Sequence, residues 1–265
     1  MGGVKSAVVF ASYVDDEAYL PFCARIVQLW QQEFADSDIY VGINPCRCQR
    51  EWTAMLDGSG LRVRYAVTPA PLLLPSDASA FQAALGLLQA QPTRYDYVWF
   101  GHTKGATSGD YATLTAHLIE LFLKKEAIIT SLQATGCGLY ALAASIAPRA
   151  RDGCSRYLAF RYTALPIFCV FTFYVFLGRP LHSFLDRCDR SFFTERLPNA
   201  HFFEGDFPQA AFRQGYEPCV RKIVQVHTGD LSTIVSDERT WRKTLAAWRA
   251  INRLKPRPDG YGCLG

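Results

Sequence analysis

Residues 101–105 read Gly-His-Thr-Lys-Gly, a run whose residue types suit an anionic ligand. A lysine ammonium can donate directly to phosphate oxygens, and a histidine can either donate or act as a ligand. Gly101, Gly105 and Gly109 allow backbone to come close to such a group. The plainer role for His102 and Lys104 is to hold a loop or a helix start, and both roles stay open. Two carboxylates, Glu204 and Asp206, flank a glycine in Phe-Phe-Glu-Gly-Asp-Phe. Either can take a proton from an attacking hydroxyl, although acids around a turn are also ordinary surface chemistry. Asp110 is a further candidate base, close in sequence to 101–105. Arg213 can reach an anionic ligand, with a solvated arginine as the simpler reading. His182, His201 and His227 stand singly and read as structural or exposed.

Several common fingerprints are missing. No G-x-G-x-x-G follows the first strand, which removes support for NAD and for most methyl-donor sites. No P-loop, G-x-S-x-G elbow or H-E-x-x-H pair occurs. Nine cysteines are spread along the chain, and Cys46 and Cys48 form the one close pair. A C-x-C without a second pair is a weak metal signal, so reduced cysteines used as small hydrophobes are expected.

The elements that must position these residues alternate through the first hundred positions. Residues 6–13 are a short, almost wholly apolar run that reads as a strand covered on both faces, and 38–44, 61–68 and 95–100 read as three further strands. Between them lie a helix opened by Asp15, Asp16 and Glu17, a short helix at 49–56, and a third with Phe81, Leu85 and Leu88 on one face. This order implies parallel pairing through right-handed crossovers, with helices on both faces. Ligands of such sheets sit outside the carboxyl ends of the strands, here Ser12-Tyr13, Asn44, Thr68 and His102-Thr103-Lys104.

The second half differs in character. A long helix is expected over 114–132, a short one over 139–146, and a buried central strand over 167–177. A strand at 200–203, a helical stretch over 207–215 and a basic amphipathic helix over 237–254 complete the reading. That last segment can pack its tryptophans on the body or dock on an anionic membrane, and packing is the simpler expectation. The chain is thus expected to be one compact unit, with residues 1–110 as a Rossmann-like, nucleotide-binding-like half and 111–265 as a mixed half.

Composition agrees with a globular enzyme-sized chain: 265 residues, 49 % hydrophobic, 20 % charged, net charge +4. The charge is too mild to suggest nucleic acid. No apolar run approaches the roughly 20 residues that a bilayer requires, and residues 1–14 lack a secretion-signal pattern. A cytoplasmic location is expected, with peripheral contact at the inner face of a membrane as an option.

The element order, and above all Tyr-Asp-Tyr-Val-Trp-Phe-Gly-His-Thr-Lys-Gly at 95–105, resembles glycosyltransferases of the GT-A fold. More narrowly it is similar to bacterial glycosyltransferase-like proteins of polysaccharide synthesis, where a similar strand end precedes a long helix. The similarity covers about half of the chain and is only architectural beyond Gly105. In most enzymes of that fold this strand ends in D-x-D, whose carboxylates hold a divalent cation at the diphosphate leaving group. Here the matching places hold His102 and Lys104.

The resemblance implies a GT-A-like α/β glycosyltransferase that moves a sugar from a nucleotide-sugar donor to a hydroxyl of a glycan or lipid-linked acceptor. Donor contacts would come from Ala11, Ser12 and Tyr13 at the nucleobase, with Asp15 or Asp16 nearby, and from His102, Thr103, Lys104 and Arg213 at the phosphates. Tyr13 can stack or serve as an ordinary aromatic, and Asp16 reads better as a helix cap. The catalytic base would be Asp206, Glu204 or Asp110. No cofactor beyond the donor is implied; a divalent metal is the less favoured option and would need Asp110 with His102. An S-adenosylmethionine-dependent methyltransferase and a non-catalytic nucleotide- or glycan-binding protein remain as alternatives.

Overall fold

The computed structural model describes residues 3–69, 77–103, 124–141, 144–145, 168–169, 172–188, 203, 207–208, 211, 222–228 and 232–237. Strand β1 (Ser6–Ser12) is buried along its whole length and lies between two parallel neighbours. These are β2 (Asp38–Ile43) and β4 (Tyr97–His102), and β3 (Arg62–Val67) pairs parallel with β2 at the sheet edge. The parallel pairing expected of the first four strands is therefore present.

The second half extends the same sheet. Strands β5 (Cys137–Ala141), β8 (Tyr174–Leu177), β9 (Lys222–Thr228) and β10 (Ser232–Asp237) complete an eight-stranded order of β10-β9-β5-β8-β4-β1-β2-β3. Pairing turns antiparallel where β8 meets β4 and β5, and again between β9 and β10, so the sheet is mixed. Two short strands, β6 (Ala144–Ser145) and β7 (Phe168–Cys169), pair apart from it.

The period-two alternation of β1 sends its side chains to two cores. Ala7, Val9 and Ala11 pack with α3 (Ala78–Gln89) and with α5 (Gly178–Arg187). Val8 and Phe10 pack on the opposite face with α1 (Leu20–Glu33), α2 (Gln49–Asp57) and α4 (Lys125–Thr135). Helices thus cover both faces. Gly42 on β2 permits direct backbone contact with α3, since a β-carbon there would overlap the Ala80 carbonyl. Asp16 caps the 3₁₀ turn that leads into α1, accepting the Ala18 N–H at 2.9 Å.

Several expectations need correction. The short helix expected from residue 139 is instead β5, because Cys137–Ala141 lies between β8 and β9 with all five residues buried. A buried five-residue apolar run satisfies either pattern, and neighbouring strands decide. Gly136, at φ 66°, ends α4 in a left-handed cap just before β5 begins. The strand expected over 167–177 is broken: Thr172 has φ 54°, and only Tyr174–Leu177 enters the main sheet. Helix α4 covers Lys125–Thr135, three residues past the expected end. Residues 114–123 lie outside the described residues. Phe203 sits in a turn, with 200–202 outside, while Phe207, Pro208 and Ala211 are helical as expected. β9 and β10 pair antiparallel, and Asp237, expected to open the basic helix over 237–254, instead ends β10 opposite Lys222; 238–254 lies outside the described residues. Among the described residues no helix is long and apolar enough to cross a membrane.

Candidate functional site

The carboxyl ends of β1, β2 and β4 are tied together by short polar side chains. The Thr103 N–H donates to the Ala11 carbonyl at 3.1 Å. Its hydroxyl accepts the Tyr13 N–H at 2.9 Å and donates back to the Tyr13 carbonyl at 3.1 Å. The Ser12 hydroxyl donates to the Gly42 carbonyl and accepts the Trp52 indole N–H, both at 3.0 Å. Thr68 donates to Asn44 Oδ1 at 3.0 Å. Strand-end hydroxyls at 12, 68 and 103 are thereby engaged within the fold, and they make a stiff shelf.

Beyond β1 the loop is held by charge. Asp15 accepts the Arg47 N–H at 2.9 Å, and the Arg47 guanidinium lies 3.3 Å from its other oxygen. The Arg47 backbone N–H, aided by its side chain, holds the Asp15 carboxyl below the usual carboxylate range. Burial, then the neighbouring Asp15 charge, raises the Tyr13 phenol, so it stays protonated and can donate.

His102 closes β4. Strand β4 runs two residues further than the apolar run suggests, so this histidine belongs to the strand itself. Its Nδ1 lies 2.6 Å from Asp77 Oδ2, with the His102 side chain only 10 % exposed. The ring lies beside Phe81 and Phe173, with centroids 6.1 Å and 5.5 Å away. Nε2 is buried and has no hydrogen-bond partner among the described residues. No protein-family model and no curated protein matches this chain.

Asp77 was not singled out from the sequence. It directly precedes α3, where an acid ordinarily reads as a helix cap, yet its side chain makes no cap bond. Only the tertiary fold brings it beside His102. Of the other expected site residues, Ala11, Ser12, Tyr13, His102 and Thr103 cluster on the shelf. Lys104, Asp110, Glu204, Asp206 and Arg213 lie outside the described residues. Phe203, which precedes Glu204, stacks on Phe81 at 4.7 Å and so belongs to the wall beside His102.

Among the described residues no three His, Cys, Asp or Glu side chains are grouped to hold a metal. Cys23, Cys46 and Cys48 are free thiols, and burial pushes all three upward, Cys23 to about 12. At the opposite end of β4 an open depression of about 490 Å³ is lined by Arg94, Tyr95, His182 and Asp186. Two of its charged groups pair with each other, Arg94 forming a 2.9 Å bridge to Asp186, and Asp96 accepts the Lys5 N–H at 2.8 Å.

Proposed function

We propose that this chain is a nucleotide-sugar-dependent glycosyltransferase of GT-A-like architecture. It transfers the sugar to a hydroxyl of a glycan or lipid-linked acceptor. The observation that carries the reading is the buried His102 at the carboxyl end of β4, held by Asp77 and with Nε2 unpartnered among the described residues. In open α/β sheets that position faces the ligand. Positive charge is required there when a nucleoside diphosphate departs. His102 and Lys104 supply it in this reading, without dependence on a divalent metal. The shelf of Ala11, Ser12 and Tyr13 supports the nucleoside. Glu204, Asp206 or Asp110 accepts the proton of the attacking hydroxyl, and Arg213 contributes to anion binding. The protein works in the cytoplasm, and its basic segment 237–254 offers peripheral contact with an anionic membrane.

The test is thermal stabilisation by a panel of UDP-, GDP- and CMP-sugars with S-adenosylmethionine alongside, followed by donor hydrolysis. One nucleotide-sugar should stabilise the chain and be turned over. Stabilisation by S-adenosylmethionine alone would replace this reading with methyl transfer. Nucleotide-sugar binding without hydrolysis or transfer would make the chain a binding protein.

A further inference from the structure

We infer that Asp77 is the positioning residue of a diphosphate-oxygen subsite, in which it holds His102 as an imidazolium with its Nε2–H aimed at the anion. The inference rests on the glycosyltransferase reading and adds a residue and a protonation state to it. The Nδ1···Oδ2 separation of 2.6 Å puts the Asp77 carboxylate in direct hydrogen-bond contact with the ring. With the carboxylate on Nδ1, that nitrogen carries its proton and the ring orientation is fixed. Nε2 then points away from Asp77.

A buried polar nitrogen without a partner is costly, so it calls for a complement from a ligand. The surrounding hydroxyls do not provide one, since Ser12 and Thr103 are engaged elsewhere. Among the described residues, Asp77 before α3 is the charged group in contact with the ring. α3 itself presents Phe81 to His102, the segment before β8 presents Phe173, and β1 pairs with it through Ala11. In these apolar surroundings an imidazolium and carboxylate form a neutral pair that can still donate one hydrogen bond outward. An anionic oxygen fits that donor; a cation does not.

The experiment measures binding of inorganic pyrophosphate and of UDP and GDP by calorimetry, with EDTA present, across mildly acidic to mildly alkaline pH. Wild type is compared with His102→Phe, whose ring suits the Phe81 and Phe173 surroundings, and with Asp77→Asn; thermal unfolding monitors folding of each. His102→Phe should weaken pyrophosphate and the better-bound nucleotide about tenfold. The wild-type advantage over His102→Phe, a ratio that cancels the titration of pyrophosphate itself, should shrink as pH rises. Asp77→Asn should lose affinity at alkaline pH and regain it on acidification, which a purely structural role would not produce. Nitrogen-15 shifts of His102 should show both ring nitrogens protonated in the wild-type pyrophosphate complex.

Equal affinity of all three proteins for a nucleotide that wild type does bind would overturn the inference and leave the glycosyltransferase reading standing. A wild-type advantage that grows with pH would also overturn it, because Nε2 would then be accepting a proton. If wild type binds neither pyrophosphate nor any nucleotide, both fail.

Discussion

Ser12 lies on the strand-end shelf, but its hydroxyl serves the fold. It joins the Gly42 carbonyl to the Trp52 indole, and Trp52 is fully buried. Replacing it by alanine leaves a buried donor and a buried acceptor without their partner. Ser12→Ala should therefore destabilise the protein by about 1–3 kcal/mol, measured by urea denaturation. An unchanged midpoint would mean that the link contributes nothing. Lys104 belongs to the opposite case, a residue expected to act on ligand. Preorganised positive charge at a leaving diphosphate lowers a barrier by about 3 kcal/mol, so Lys104→Ala should reduce turnover of the nucleotide-sugar by about two orders of magnitude, with little response to EDTA in the wild type. If chelation abolished turnover while Lys104→Ala preserved it, a metal held by His102 and Asp110 would take the place of the lysine.

Besides the Arg94–Asp186 bridge and the Gly178 N–H on the Asp96 carbonyl, a histidine joins helix α5 to the segment before β4. His182 Nε2 accepts the Tyr95 N–H at 3.0 Å, and the two rings stack at 6.0 Å. Burial, reinforced by the Arg94 charge and opposed by Asp186, lowers the imidazole from its ordinary 6.5. Protonation removes the acceptor from the Tyr95 N–H and places a cation beside Arg94. The unfolded chain binds this proton more readily than the folded one. The contribution to stability is therefore complete above pH 6.5 and is lost as pH falls through the lower folded value. The urea midpoint should fall on acidification below 6.5 more steeply in wild type than in His182→Leu. Parallel slopes for the two proteins would show that this link does not titrate. The same element scale explains His102: because β4 continues to residue 102, the imidazole is held by strand pairing with Ala11.

At the scale of the molecule, the two halves of the chain share one sheet. β4, from the first half, pairs with β8 from the second, and Phe100 stacks on Tyr174 at 4.9 Å. Leu181, Phe184 and Leu185 of α5 also close the core that holds β1 and α3. Large apolar side chains contribute about 1.5–3 kcal/mol each when buried, and removing the second half exposes several at once along with the β4 edge. A fragment of residues 1–110 should accordingly lack a cooperative thermal transition and self-associate, whereas the full chain should unfold in a single transition by circular dichroism. A soluble, cooperatively folding fragment would show that the first half is an independent domain. The four parallel strands and the apolar face of α3 were legible in the sequence, because runs such as 6–13 and the spacing of Phe81, Leu85 and Leu88 carry a local periodicity that sets their structure. The strand at Cys137–Ala141 was not, since a short buried run acquires its identity from the neighbours that pair with it. His102 was visible as a candidate by its type and its place at a strand end. Asp77 was not, because 25 residues separate the two (102 less 77) and no local pattern links them. Local patterning is set by steric and hydrophobic preferences within a few residues of chain, and it determined the elements. The meeting of a helix start with a strand end requires the sheet and its covering helices to be assembled, so only the tertiary structure could bring a carboxylate to the imidazole.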